Sequence, residues 1–133
     1  MQPLALSAFS VEETLKLGKI LASNLPEQPA FSLLLQGDLG SGKTTLVRGL
    51  VESLPGGDQS EVSSPSFNIY NIYPTQPEVI HFDLYRLEDQ GFDEGLADYL
   101  HAPHKLIIVE WAQFLPLAYW PRDYMLCKLE HAE

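Results

Sequence analysis

The segment from residue 37 to residue 44 carries the strongest chemical signal in the sequence. It fits the pattern G-x-x-x-x-G-K-[ST] and reads, in order, Gly37, Asp38, Leu39, Gly40, Ser41, Gly42, Lys43, Thr44. Its glycines allow strained backbone angles, so that backbone amides can approach phosphate oxygens at a helix N-terminus. A lysine at this position reaches the terminal phosphates, and the hydroxyl that follows can bind Mg²⁺. The motif therefore predicts a site for a nucleoside triphosphate with Mg²⁺.

Two carboxylates are candidates to complete this site. Asp83 follows the apolar run at 79–82, and Glu110 follows the aliphatic run at 106–109. Ligands of open α/β sheets bind beyond the carboxyl ends of the strands, which predicts that both acids lie near the phosphates. An enzyme with this loop needs an acid for the Mg²⁺ shell and a group that positions the attacking water. Glu110 is the better match by pattern, but the sequence leaves open which acid takes which role. A solvated charge at a strand end is the structural alternative for each.

Alternating helical and strand patterns must position these residues. The predicted elements, in order, are a helix from Ser10 to Leu25, a strand at Phe31 to Gln36, a helix from Gly42 to Leu54, a hairpin of Phe67 to Tyr73 with Glu78 to Leu84, a helix at Phe92 to Leu100, and strands at Leu106 to Val109 and Tyr124 to Leu129. This order predicts an α/β P-loop NTPase fold in three layers, whose mixed, mostly parallel sheet includes an antiparallel hairpin. We expect one domain over residues 1–133.

Composition limits the possible partners and locations. The 133 residues include 8 Lys and Arg against 18 Asp and Glu, a net charge of −10. Direct binding of DNA or RNA phosphates needs a basic surface, which so few cations are not expected to form. We therefore expect any nucleic acid to be bound by a partner. The acidic surface disfavours anionic membranes, and no apolar run approaches the roughly 20 residues of a membrane span. Because no signal peptide is visible and Cys127 is the single cysteine, we expect a cytoplasmic protein without an intramolecular disulfide.

Two missing sequence features bear on the ligand and the reaction. No N/T-K-x-D element for guanine recognition occurs, which favours either adenine, as in ATP or ADP, or a pocket that binds the base loosely. The three arginines, Arg48, Arg86 and Arg122, are few for the arginine-rich lid that small-molecule P-loop kinases close over the transferred phosphoryl group. A small-molecule kinase and a nucleotide-sensing module without turnover nevertheless remain the alternatives to an ATPase.

Three further strings make the sequence resemble a known family. They are Ser64-Pro65-Ser66-Phe67, His81-Phe82-Asp83-Leu84-Tyr85-Arg86-Leu87 and Val109-Glu110-Trp111. Together with the loop extended to Thr45, they resemble the TsaE family (formerly YjeE), the ATPase subunit of the bacterial tRNA threonylcarbamoyladenosine machinery. The resemblance spans about residues 8–129. The HFDLYRL string is far more specific than the loop alone.

The resemblance implies a small cytoplasmic ATPase that assists the TsaB–TsaD pair in placing a threonylcarbamoyl group on adenosine 37 of ANN-decoding tRNAs. It implies that hydrolysis depends on that pair and that tRNA is contacted only through the complex. The residues it implies for nucleotide binding are Gly37, Asp38, Leu39, Gly40, Ser41, Gly42, Lys43, Thr44, Thr45, Ser66 and Trp111. Lys43, Asp83 and Glu110 would be catalytic, and Thr44, Asp83 and Glu110 would hold the metal. The sequence departs from the family at Ser66, where Thr is usual, although a hydroxyl remains.

Three other residues have structural interpretations. His81 lies in the middle of a strand pattern and is interpreted as a hydrogen-bonded structural histidine rather than a proton carrier. Trp111 fits core packing as well as it fits a place beside the nucleotide. Cys127 is interpreted as a small core residue.

Overall fold

The computed structural model describes residues 8, 10–25, 31–37, 42–63, 65, 69–85, 87 and 94–130. Its helices and strands, in chain order, are α1 (Val11–Ser23), β1 (Phe31–Gln36), α2 (Lys43–Glu52), β2 (Tyr70–Tyr73), β3 (Glu78–Asp83), α3 (Ala97–Leu100), β4 (Lys105–Glu110) and β5 (Tyr124–Lys128). Short 3₁₀ turns lie at Gly57–Gln59, Glu94–Leu96, Ala112–Phe114 and Leu117–Tyr119. Each predicted helix and strand has a counterpart here. The ends differ by one to a few residues, and residues 67, 68, 92 and 93 lie outside the described part.

The five strands form one sheet in the order β2-β3-β4-β1-β5. β2 pairs with β3 antiparallel, whereas β3 with β4, β4 with β1 and β1 with β5 are parallel. The predicted mixed, mostly parallel sheet with an antiparallel hairpin is therefore confirmed. Parallel pairing brings the carboxyl ends of β1, β3 and β4 to one edge, with β4 in the middle. In register, Glu110 lies between Asp83 and Leu35.

The two faces of the sheet are covered by different layers, because successive strand residues point to opposite sides. On one face Leu33, Leu35 and Ile108 pack with Val47 and Leu50 of α2, and residues of α1 cover the same cluster. The opposite face packs against α3 and the 3₁₀ turns; its cluster includes Leu34, Phe82, Val109, Leu100 and Leu115. The arrangement has the predicted three layers, and α2 lies on the face to which Glu110 points.

Two glycines bring α1 and α2 into close contact. A Cβ built on Gly18 would lie 2.4 Å from the carbonyl oxygen of Leu46, and one built on Gly49 would lie 2.3 Å from that of Leu15. Real Cβ atoms do not come this close to backbone atoms, so the helices touch backbone to backbone. The N-terminus of α1 is capped by Ser10, whose side chain accepts a hydrogen bond from the Glu13 amide at 3.1 Å.

Gly18→Ala tests this contact, and the direction of its effect is diagnostic. An alanine in an ordinary helix interior stabilises by about 0.5–1 kcal/mol relative to glycine. Here we expect the free energy of unfolding to fall by about 1–3 kcal/mol, because the added methyl group forces the two backbones apart. Urea denaturation followed by circular dichroism measures the change. Lys16→Ala, on the exposed side of α1, is the control and should stay within about 0.5 kcal/mol. A stabilised Gly18→Ala variant would contradict the packing described.

Candidate nucleotide-binding site

A strand-to-helix turn forms one side of the candidate site. β1 ends at Gln36, and α2 begins at Lys43 directly after Gly42. Gly42 has a φ of +97°, in the left-handed region that favours glycine, and its carbonyl accepts the first helical bond, from Leu46 N at 2.9 Å. The N-terminus of α2, with its positive end of the helix dipole, thus faces the carboxyl edge of the sheet. The intervening loop residues Asp38, Leu39, Gly40 and Ser41 lie outside the described residues.

The side chain of Lys43 lies between the start of this loop and the end of β4. It is only 5% exposed, and its Nζ donates to the carbonyl oxygen of Gly37 at 2.6 Å. The same Nζ lies 4.1 Å from the centroid of the Trp111 ring. A cation over an indole face is attracted by the ring quadrupole. The ammonium group is therefore held at the mouth of the turn, where the sequence predicts terminal phosphates.

The hydroxyl of Thr44 joins α2 to the end of β4. Its Oγ1 lies 3.1 Å from Oε1 and 3.2 Å from Oε2 of Glu110, and the hydroxyl donates to this carboxylate. Glu110 is the last residue of β4 and is 2% exposed. The structure thus brings together two of the three residues predicted to bind metal.

A buried histidine completes the surroundings of the Glu110 carboxylate. Nε2 of His81 lies 2.5 Å from Oε2 of Glu110, and Nδ1 lies 3.0 Å from the hydroxyl of Tyr73. His81 is fully buried and Tyr73 nearly so. Burial, with a contribution from the Glu110 charge, raises the pKa of Tyr73, so its hydroxyl keeps its proton.

His81 is hydrogen-bonded, as its sequence interpretation expected, but one partner is a predicted site residue. The sequence reasoning did not single out Tyr73 at all. For His81, strand alternation was a signal in the sequence that could have predicted a place near the site. His81 and Asp83 are two residues apart on β3, so they share the face to which Glu110, at the end of β4, also points.

Asp83 occupies the carboxyl end of β3, in register with Glu110. Its side chain is half-buried, and Oδ1 accepts a hydrogen bond from the Tyr85 amide at 3.0 Å. The carboxylate therefore also stabilises the turn that follows the strand. Both acids reach the predicted edge, but it is Glu110 that contacts the hydroxyl of α2.

Trp111 turns the chain directly after β4. Its φ of 59° and ψ of 44° lie in the left-handed region, which costs a residue with a side chain about 1–2 kcal/mol. The ring is 9% exposed and belongs to the core on the face opposite α2. It stacks on Phe114 with ring centroids 5.7 Å apart, and it contacts Tyr85. Trp111 thus packs in the core and also contacts Lys43, whereas its predicted contact with nucleotide stays a prediction.

For two other residues predicted to bind nucleotide, Thr45 and Ser66, the structure gives little information about the site. Thr45 lies half-buried in the first turn of α2. Ser66, together with Ser64, Phe67 and Arg86, lies outside the described residues. In the part of the chain that is described, no group of three or more His, Cys, Asp or Glu side chains could hold a metal ion. No helix among those residues is long and apolar enough to cross a membrane.

The fold and the geometry of the site together define the class of protein to which this chain belongs. A central parallel strand, a turn into a helix that begins Lys-Thr, and an acid at the end of the neighbouring strand form the architecture of the P-loop NTPase fold. A profile described as "Threonylcarbamoyl adenosine biosynthesis protein TsaE" matches residues 8–133. The chain belongs to the TsaE family, whose proteins take part in threonylcarbamoyladenosine biosynthesis.

Individual relatives agree with this assignment. The protein of Bacillus subtilis named tRNA threonylcarbamoyladenosine biosynthesis protein TsaE is 37% identical over 116 residues, which are 86% of this chain and 70% of the relative. The protein of the same name from Rickettsia felis is 38% identical over 78% of this chain and 60% of its own length. The chain thus spans less than two thirds of that second relative. A crystal structure of Bacillus subtilis YdiB matches with a TM-score of 0.73 and 28% identity, covering 95% of this chain and 75% of that one.

Two substitutions of Glu110 separate lost charge from lost contacts. In Glu110→Gln, the amide can still accept from His81 and donate to Thr44, so we expect the free energy of unfolding to change by no more than about 1 kcal/mol. Glu110→Ala leaves a cavity and a buried imidazole without its partner, and we expect a loss of about 3–5 kcal/mol. Urea unfolding of both variants measures the difference. Equal losses in the two variants would contradict the hydrogen-bond arrangement described.

Proposed function

We propose that this protein is a cytoplasmic ATPase domain that binds Mg²⁺–ATP at the turn between β1 and α2. In this proposal it hydrolyses ATP while acting with partners of the TsaB–TsaD type in threonylcarbamoyladenosine biosynthesis. The observation that carries the proposal is the contact between Thr44 and Glu110, at 3.1 and 3.2 Å. It places a hydroxyl and a carboxylate side by side at a helix N-terminus that is itself suited to phosphate.

The residues present fit Mg²⁺. This ion prefers oxygen ligands and keeps several waters, so it binds through one or two protein oxygens together with substrate phosphates. The hydroxyl of Thr44 and the carboxylate of Glu110 are such ligands, and Asp83 is in register beside Glu110. Because phosphate and water supply the other ligands, a cluster of three acidic or histidine side chains is not required. Bound Mg²⁺ would neutralise part of the phosphate charge during transfer.

The chain's own groups have distinct tasks in this scheme. Lys43 is already desolvated and would exchange the Gly37 carbonyl for a phosphate oxygen, a stronger charge-assisted bond. Glu110, buried and fixed on two sides, would orient the Mg²⁺ shell or the attacking water, and Asp83 would take the other of these tasks. The core on both faces of the sheet holds the ends of β3 and β4 rigid, which keeps these groups in place before ligand arrives.

The proposed partners follow from charge and from family. With a net charge of −10, the chain is poorly suited to hold tRNA phosphates directly. Its relatives are named as tRNA threonylcarbamoyladenosine biosynthesis proteins, so a reaction on tRNA must be reached through other subunits. We propose that the TsaB–TsaD pair provides that contact.

Lys43→Met tests nucleotide binding. The substitution removes the ammonium group but keeps most of the apolar stem, so the fold should be retained. We expect ATP affinity to fall about 10- to 100-fold, since one charge-assisted hydrogen bond is worth about 1.5–3 kcal/mol. Calorimetric titration with Mg²⁺–ATP measures it. Arg48→Met is the matched control: it removes one positive charge from the same helix, but from an exposed side chain paired with Glu52. Equal affinities in wild type and Lys43→Met would refute the assigned site.

Steady-state hydrolysis tests the proposed reaction. We expect the purified chain to be slow alone and to be stimulated when the TsaB–TsaD pair is added. In the stimulated assay, at saturating Mg²⁺–ATP, Glu110→Gln should turn over about 100-fold more slowly, a typical loss for a group acting in the transition state. Its affinity for ATP without Mg²⁺, measured in EDTA, should stay within about threefold of wild type. Binding with no turnover in any mixture would favour the nucleotide-sensing alternative. A phosphorylated small molecule would favour a kinase.

A further inference from the structure

A continuous line of side chains runs from β2 to the candidate site. The hydroxyl of Tyr73 lies 3.0 Å from Nδ1 of His81, and Nε2 of the same ring lies 2.5 Å from Oε2 of Glu110. His81 is 0% exposed, Glu110 2% and Tyr73 4%. Buried polar groups require hydrogen-bond partners, and His81 joins the other two, while Glu110 is also bonded by Thr44 and Tyr73 also lies near the carbonyl oxygen of Ser63. Neither Tyr73 nor His81 is placed to contact ATP in the proposed function.

The direction of these hydrogen bonds follows from counting protons. The Tyr73 hydroxyl has one proton and two acceptors in reach, Nδ1 of His81 at 3.0 Å and the carbonyl oxygen of Ser63 at 3.3 Å. If it donates to Nδ1, a neutral ring carries its proton on Nε2. If it donates to Ser63 instead, the ring donates from Nδ1, and its bare Nε2 faces Oε2 of Glu110 unless the pair binds a second proton. The first arrangement uses the shorter contact of the hydroxyl and needs no extra proton, and it makes Nε2–H the donor to Glu110.

This bond gives the carboxylate an asymmetry that Thr44 does not provide. The Thr44 hydroxyl lies almost equally far from Oε1 and Oε2, at 3.1 and 3.2 Å, so it does not select between them. His81 bonds Oε2 and thereby leaves Oε1 with the greater capacity for a further ligand. Groups that orient a ligating side chain in this way commonly contribute about 10- to 100-fold to metal affinity or activity.

We propose that Tyr73 and His81 are positioning residues, which hold Oε2 of Glu110 so that Oε1 faces the Mg²⁺–ATP site beside Thr44. The inference rests on the proposed function for its consequence, but the hydrogen-bond chain itself can be measured without nucleotide. Tyr73 fixes the ring, and the ring fixes the carboxylate. The contact of the Tyr73 hydroxyl with the carbonyl oxygen of Ser63 connects this line of hydrogen bonds to the backbone. Ser63 comes directly before the string that starts at Ser64.

The first test is the protonation pattern of His81 in the full chain without nucleotide. The protein has four histidines, so ¹⁵N-histidine NMR can resolve each ring, and His81→Gln assigns its signals. We expect Nε2 of His81 to be protonated, and we expect Tyr73→Phe to shift the His81 resonances. A neutral ring with its proton on Nδ1 would overturn the proposal, whatever the result of nucleotide binding.

The second test is the gain in ATP affinity that Mg²⁺ provides, measured by calorimetry with Mg²⁺ and with EDTA. Tyr73→Phe should reduce this gain about 10-fold, near the lower end for a residue that orients a ligand. It should cause no further loss in a Glu110→Gln background, because it acts through that carboxylate. Tyr70→Phe, on the same strand but on the other face, is the matched control. An additive loss in the Glu110→Gln background, or an unchanged gain in Tyr73→Phe, would overturn the proposal.

Two histidine variants provide the rescue test. His81→Gln can place an amide donor near the position of Nε2, whereas His81→Asn places its amide near Nδ1 and does not reach Glu110. We expect His81→Gln to keep more of the Mg²⁺-dependent gain, and a larger gain in His81→Asn would count against the proposal. If the wild-type protein does not bind ATP at all, the proposed function is refuted instead. In that case the NMR result alone decides whether His81 donates to Glu110.

Discussion

The buried carboxylate of Glu110 sets the main constraint on this structure. A carboxylate removed from water is strongly destabilising unless hydrogen bonds and charge partners surround it. The partners come from two different elements, Thr44 on α2 and His81 on β3. Each of these elements must therefore sit within hydrogen-bond distance of the end of β4. The order of strands, which puts β4 between β3 and β1, satisfies this requirement while keeping the turn into α2 beside the same edge.

Strand register transmits that constraint across the sheet. Asp83 pairs with Glu110, and His81 lies two residues earlier on the same face. A slip of one residue between β3 and β4 would turn His81 to the opposite face and leave Glu110 without its partner. The apolar residues that alternate with these polar ones, such as Phe82 and Val109, bury in the other core and oppose the same slip. Hydrophobic burial and the hydrogen bond between His81 and Glu110 thus specify the same register between β3 and β4.

Much of the fold could be predicted from the sequence because its signals are local. The helix and strand periods, the turn glycines and the phosphate-loop pattern each depend on a few neighbouring residues. Local patterns place an acid at the end of a strand, but they do not say what touches it. His81 contacts Tyr73 across the hairpin, only 8 residues away, but its contact with Glu110 joins two strands across 29 residues of sequence. The left-handed backbone of Trp111 was equally hidden, because a tryptophan gives no turn signal and is held there by Phe114, Tyr85 and Lys43.

Helix α1 contributes none of the predicted site residues, yet the geometry of the site depends on it. The hydroxyl of Thr44 lies 3.1 Å from Glu110, near the long end of the range for a hydroxyl donor, so a displacement of about 0.5 Å would break the bond. The position of α2 is fixed on one side by the sheet and on the other by α1, where Gly18 and Gly49 allow direct backbone contact. At these two points the nearest atoms are backbone, which cannot rearrange as a side chain can to absorb a shift. The two glycines therefore matter for the site as well as for the core, because the packing of α1 on α2 sets the distance between the Thr44 hydroxyl and Glu110.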